Sequence, residues 1–293
     1  MRLGVSLPQF STDAARLEEA AVAAEDCGLD SIWLFDHLWP LSGGKERPVL
    51  ECWTTLAWLA ERTTAIEIGT LVTRSTLRHP GLLAKMAATV ATVAPGRLTV
   101  ALGSGDAASR PENDAFGIPY FADDARISQL RSTAEAFMAF ASGGVADFAD
   151  DYTRLQLPVS PLPPSRPRLW LGGRSGDVLS IAGSLADGWN AWGGTPQTFA
   201  RDAALVAEAG RGRPIELSYG GLAVLAPTDE EAARAGRDPA RYVTGGPETV
   251  GQRLASYVRV GARHVIVGLH RPSPQGYELL AAGVRPLLEA AAP

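Results

Sequence analysis

The chain has 293 residues, of which 46% are hydrophobic, 20% charged and 7% aromatic, with a net charge of −5. That balance supplies a large apolar core and excludes a disordered or low-complexity chain. The absence of any run of Lys or Arg removes the footprint of a nucleic-acid or anionic-membrane binder, so the expected partner is a small molecule.

Taken in chain order, short apolar runs alternate with helical stretches. The first run, Leu3 to Leu7, is too short and interrupted for a signal peptide or a membrane span, which places the expected location in the cytoplasm. Ser11, Thr12 and Asp13 offer caps to a helix whose Leu17, Ala20, Ala21 and Ala24 share one face. Cys27 and Cys52 lack metal-ligand spacing or a disulfide framework and read as buried thiols. Ser31 to Phe35 is the second strand, and the glycine-containing loop Ser42 to Val49 after it is placed to cover a ligand. On the second helix Trp53, Leu56, Ala57 and Ala60 share a face while Trp58 points away, which suggests a homodimer contact.

Ile66 to Val72 and Leu98 to Leu102 are the third and fourth strands, separated by a helix opening at Pro80 and striped by Leu83, Met86, Ala87 and Val90. Gly143 to Pro167 is an insertion, with Asp147-Phe148 and Tyr152 to Leu157 as a small hairpin and Pro158 to Pro164 as extended linker. The remaining strands are Leu169 to Leu171, Gly188 to Trp192, Ile215 to Leu225 and His264 to Leu269. Val178, Ile181, Ala182 and Leu185 stripe one intervening helix, and Pro247 opens another striped by Val250, Leu254, Tyr257 and Val258. Eight strands in this alternation predict a (β/α)₈ TIM barrel, one domain over 1–293, with a short insertion between helix four and strand five.

Candidate chemistry gathers where strands end. Strand two runs out as Asp36-His37, an acid beside an imidazole at the rim, although an isolated pair equally suits a turn cap and a packed ring. Strand four ends Gly103-Ser104-Gly105-Asp106, whose glycines let backbone approach a planar ligand or simply turn the chain. Gly172-Gly173-Arg174-Ser175-Gly176 offers N–H groups and a guanidinium to a phosphate, or is a glycine-rich turn.

The set of blocks resembles the bacterial luciferase-like family: Asp36-His37, the strand end Ile68-Gly69-Thr70-Leu71-Val72-Thr73, Arg78-His79-Pro80, Gly96-Arg97, Gly103 to Asp106, and Leu171 to Gly176 with Ala186 to Trp189. The resemblance covers most of 1–192, and Val243 to Val250 fits it too. It implies a ring-shaped cofactor in the barrel mouth, a non-proline cis peptide between Leu71 and Val72 behind it, and contacts from Asp36, Thr73, Gly103, Ser104, Gly105, Gly172, Gly173, Arg174 and Ser175. The Asp36-His37 pair favours the branch that uses the deazaflavin coenzyme F420, with FMN as the alternative and a non-catalytic flavin binder as a third reading. His37 and Asp106 are the implied proton movers, His37 the better placed because an imidazole titrates near neutrality. His79 is more simply the start of helix three. Asp106 stands where the sugar-phosphate dehydrogenase branch carries Glu, and no set of basic residues for a phosphorylated sugar is evident.

Overall fold

A computed structural model describes residues 1–11, 13–40, 44–143, 145–158 and 161–292. The chain begins β1 (Arg2–Ser6), α1 (Ala14–Asp26), β2 (Ser31–Leu34), α2 (Cys52–Arg62), β3 (Glu67–Arg74), α3 (Pro80–Val93) and β4 (Leu98–Gly103). A 3₁₀ turn (Ala107–Ser109), α4 (Arg110–Ala115), α5 (Asp123–Ala141), β5 (Val145–Ala149), β6 (Arg154–Pro158), β7 (Arg168–Gly172), α6 (Gly176–Leu185) and β8 (Gly188–Trp192) follow. Then come α7 (Pro196–Gly210), β9 (Glu216–Leu225), α8 (Asp229–Ala233), β10 (Tyr242–Gly245), α9 (Pro247–Arg259), β11 (His264–Leu269), α10 (Pro274–Glu278), a π-helical turn (Leu279–Val284) and α11 (Arg285–Ala290).

Strands β1, β2, β3, β4, β7, β8, β9 and β11 pair in parallel and close into a barrel through β8 and β9. The eight expected strands are therefore the eight of the barrel, and β5–β6 is the antiparallel hairpin expected in the insertion. Pro158 ends β6 instead of opening a linker, and linker residues 159 and 160 lie outside the described residues. One strand was not foreseen. β10 adds to the distal end of β9, where Leu222 to Leu225 run on beyond the residues that pair with β8 and leave an edge to cover.

The local signals behave as their chemistry dictates. Asp13 caps α1 by accepting from Arg16 N at 3.1 Å, while Thr12 lies outside the described residues. His79 caps α3 through Nδ1, with Pro80 in its first turn. In α2 the buried stripe is Cys52, Trp53, Thr55, Leu56, Leu59 and Ala60, so Ala57 is exposed and not on the core face as expected. Trp58, expected to point away, is half-buried against the core. Cys52 is buried, but Cys27 is only half-buried. Of the loop Ser42 to Val49, residues 42 and 43 lie outside the described residues, and Gly44 to Arg47 form a turn closed at 3.2 Å.

Two layers make the core. Leu17, Ile32, Leu56, Val100, Val178, Val265 and their neighbours fill the space between barrel and helices, while Trp33, Leu71, Ala101, Trp170 and Ile266 fill the barrel itself. Trp33 and Trp170 stack inside it with centroids 5.1 Å apart. They fit because the strands facing them carry glycine: a Cβ at Gly69 or at Gly188 would come within 2.4 Å of Trp33 or Trp170. Among the described residues no helix is long and apolar enough to cross a membrane.

Candidate functional site

Barrel enzymes build their sites on the face where strands end at their C-termini. On that face a cavity of about 440 Å³ opens between the ends of β2, β3, β4, β7 and β8. It brings together His37, Leu71, Val72, Gly103, Ser104, Gly105, Asp106, Gly172, Gly173 and Arg174 of the residues expected there. Asp36, Thr73 and Ser175 do not line it.

The peptide bond between Leu71 and Val72 is cis, at the step where the β3–β4 register shifts. The Val72 side chain is wedged between two strand ends. A Cβ on Gly103 or on Gly172 would approach a Val72 methyl carbon to 2.4 Å. These glycines thus make room for Val72, and both also line the cavity. The outcome is an apolar ledge in an otherwise polar mouth. Gly105, with φ +71°, and Gly173, with φ +137°, adopt backbone conformations that side chains disfavour.

His37 reaches the cavity with its ring held from behind. Its Nδ1 lies 3.0 Å from Glu112 Oε2. The other Glu112 oxygen accepts from Leu38 N and, at 3.3 Å, from Trp39 N. Arg74, 3% exposed, lies with Nη2 2.9 Å from Glu112 Oε2 but without hydrogen-bond alignment, and donates Nη1 to Asn113 Oδ1 at 2.8 Å. Burial pushes the Glu112 carboxyl up, yet the bonds from His37 and Leu38 and the Arg74 guanidinium outweigh it and hold the group below the usual carboxylate range. Assigning the Nδ1 hydrogen to Glu112 leaves His37 Nε2 as the atom available for proton exchange.

Asp36 is 1% exposed and works beneath the rim. Its Oδ1 accepts from Arg78 Nη2 at 3.0 Å, its Oδ2 accepts from Nη1, and Arg78 continues to Glu51 Oε1 at 2.6 Å. Burial raises its carboxyl and Arg78 opposes the rise. Asp36 therefore anchors the loop that carries His37 and does not itself line the cavity. Thr73 is likewise turned to the core, accepting from Trp53 Nε1 at 3.0 Å, and Ser175 caps α6.

Asp106 lines the cavity but is exposed, and its Oδ1 accepts from Ser109 N and Ser109 Oγ, both at 3.1 Å, to cap the 3₁₀ turn. Arg174 reaches the cavity already paired. Its Nε donates to Asp202 Oδ2 at 2.8 Å and its Nη1 to Gly193 O at 3.3 Å. Burial raises the Asp202 carboxyl, and its bonds from Arg201 and Arg174 bring it below the ordinary range.

Phe35, Trp39, Arg74, Glu112, Asn190 and Trp192 also line the cavity, and no motif in the sequence marked them for it. Signals existed for some. Arg74 directly follows the Leu71-Val72-Thr73 block, and Asn190 is a polar residue inside the apolar strand Gly188–Trp192, bonded to Ser218 Oγ at 2.9 Å. Glu112 had none: it is one acid among many on a short helix, brought to His37 only by the fold.

The family model described as luciferase-like monooxygenase matches residues 1–244. An F420-dependent glucose-6-phosphate dehydrogenase of Kineococcus radiotolerans is 28% identical over 199 residues, covering 64% of this chain and 56% of that protein. An F420-dependent hydroxymycolic acid dehydrogenase of Mycobacterium tuberculosis is 30% identical over 188 residues, covering 63% of this chain and 50% of that protein. The chain thus spans about half the length of these curated relatives. Among solved structures, an F420-dependent secondary alcohol dehydrogenase in complex with an F420-acetone adduct shares the fold, with a TM-score of 0.86 over 98% of both chains at 19% identity. The blocks at the ends of β2, β3, β4 and β7 lie within the matched residues, and the chain belongs to the luciferase-like monooxygenase family.

Proposed function

We propose that this protein is an F420-dependent oxidoreductase that moves a hydride between the deazaflavin and a small organic substrate. The observation that carries the reading is the meeting, at one cavity, of the Val72 ledge and of His37 backed by Glu112. The names of the two curated relatives, both F420-dependent dehydrogenases, support it. The donor set fits such a cofactor. An apolar ledge at Leu71-Val72 suits a flat ring, and the polar groups of Ser104, Gly105 and Gly173 suit its polar edge.

When bound, a deazaflavin supplies hydride exchange without the oxygen chemistry of a flavin. The chain's own part is to orient, to exclude water and to manage a proton. His37 Nε2 takes the proton from a substrate hydroxyl, or returns it to a carbonyl oxygen, while Glu112 holds the ring in place. Asp106 serves as a rim cap in this reading.

Spectral titration with F420 and with FMN tests it. F420 is expected to bind more tightly. Tighter FMN binding with flavin-dependent oxygen consumption overturns the proposal, and binding of F420 without turnover over a broad substrate panel makes the protein a carrier. We further propose that 1–293 acts as one domain, that two copies form a homodimer, and that the protein works in the reducing cytoplasm. Outward-facing apolar residues on α3 support the second of these, and the two free thiols support the third.

A further inference from the structure

We infer that the substrate is a neutral molecule with a flat apolar body, aromatic or alicyclic, bearing one alcohol or carbonyl oxygen, and that phosphorylated and carboxylated compounds are disfavoured. The inference rests on the oxidoreductase reading above. Its first support is charge. Two guanidinium groups line the cavity, those of Arg74 and Arg174, and each faces a carboxylate that is only 1% exposed, on Glu112 and Asp202 respectively. Asp106 adds a further carboxylate at the rim. Lys45 is exposed and stands over the Trp39 ring, 4.3 Å from its centroid, outside the lining.

A phosphate or carboxylate is recognised by cations that can turn to it as a fork. Here each guanidinium is already matched by a buried carboxylate, so the cavity offers an anion no uncompensated cation. A guanidinium compensated by its own carboxylate still donates hydrogen bonds, now without net charge. One neutral oxygen at His37 meets the proton-moving ring without bringing a charge into the cavity.

The second support is shape. Phe35, Trp39 and Trp192 form an aromatic wall of the cavity. Trp192 stands edge-on to Phe35 at 5.4 Å, and Phe10 stacks behind Phe35 at 6.1 Å. Trp192 is seated on bare backbone, since a Cβ at Gly220 would come within 2.4 Å of its ring, yet it remains 36% exposed. An immobilised indole left open at a cavity mouth offers a face for an apolar ring.

Calorimetric titration of the full chain, alone and saturated with F420, distinguishes the possibilities. The neutral probes are acetophenone and 1-phenylethanol; glucose 6-phosphate and phenylglyoxylate are the charged ones. The neutral pair is expected to bind at least about ten-fold more tightly. Trp192→Ala is expected to weaken it by about ten-fold or more with F420 affinity held within about two-fold, and Trp192→Phe to restore most of the loss. Equal or tighter binding of the charged probes overturns the inference, as does failure of the neutral pair to bind. A Trp192→Ala variant that loses F420 and keeps the ketone also overturns it, because the wall then serves the cofactor. A protein that prefers the neutral pair but does not bind F420 supports the pocket chemistry while removing the F420 reading.

Discussion

Gly172 has no room for a methyl group, because the Val72 side chain already occupies the place of its Cβ. Gly172→Ala is therefore expected to destabilise the protein by about 1–3 kcal/mol, the usual cost of overpacking, and to weaken cofactor binding by displacing the ledge. Val72→Ala in the same chain relieves the clash. Urea unfolding of the two single variants and the double variant reads the coupling, and strict additivity would count against the wedge. His37 calls for the opposite kind of test. With its ring at the cavity and its carboxylate partner behind it, His37→Ala is expected to bind cofactor nearly as before and to lose roughly 10²- to 10⁴-fold in a single-turnover measurement. Lost affinity at an unchanged rate would make His37 a binding contact only. His37 was legible from its place at a strand end. Its dependence on Glu112 was not, since 75 residues separate the two in sequence.

Among the elements, α3 combines a buried face with an unusual outer one. Leu83, Ala87 and Val90 are buried, as the helical spacing foretold, together with Ala84, Ala88 and Ala91, whereas Met86 of the expected stripe is only half-buried. On the other side Leu82 and Val93 remain 54% and 47% exposed, with half-buried Met86 and exposed Thr89 between them at spacings of four, three and four residues. Such a stripe suits a second helix, so Leu82→Glu combined with Val93→Glu is expected to shift the protein to monomer at micromolar concentration. Sedimentation velocity checks this, and an assembly unchanged by both charges would place the contact elsewhere. Trp58, the residue that first suggested association, is half-buried against the core. Helix period identified its face but not how far the helix is rolled.

Across the whole barrel, the base mirrors the mouth in charge rather than in chemistry. Arg2 on β1, Glu67 on β3, Arg168 on β7 and Glu216 on β9 alternate in sign around the strand N-termini, each cation contacting both acids. His264 of β11 lies inside this ring, 3.4 Å from Glu216 Oε1 and hydrogen-bonded to Ser31 at 2.7 Å. Burial raises the Glu216 carboxyl, but the His264 ring and the Arg168 guanidinium outweigh it and bring it from 4.5 down to about 2. Burial also lowers the His264 ring, so at neutral pH the arginines supply most of the charge. A carboxyl depressed in the folded state stabilises above its unfolded value and loses that contribution as pH falls toward its folded one. Glu216 is therefore expected to contribute on the order of 2–3 kcal/mol at pH 7, discounted for its remaining solvent contact, and progressively less between pH 4.5 and about 2. Urea midpoints of wild type and Glu216→Gln should converge over that window. A gap as large at pH 3 as at pH 7 would show that the ring acts through packing alone.

Repeat and period were enough to obtain the barrel: eight apolar runs separated by amphipathic stretches have few ways to bury both faces of a parallel sheet. The strand-end blocks were legible for the same reason, because a βα turn at the rim writes its glycines, caps and polar residues contiguously. What the chain order does not contain is which groups meet across the barrel. Asp36 and His37 are neighbours in sequence, yet strand alternation sends one under the rim to Arg78 and the other into the cavity to Glu112. Gly103 and Gly172 belong to strands far apart in sequence, and only their closure around Val72 shows what their missing side chains are for. Arg174 read as a free cation until Asp202 of α7 was placed against it. Local chemistry therefore decided the elements and the positions of the rim residues, whereas pairing, burial and compensation of charge depended on contacts between distant strands, which only the closed barrel brings within a few ångströms.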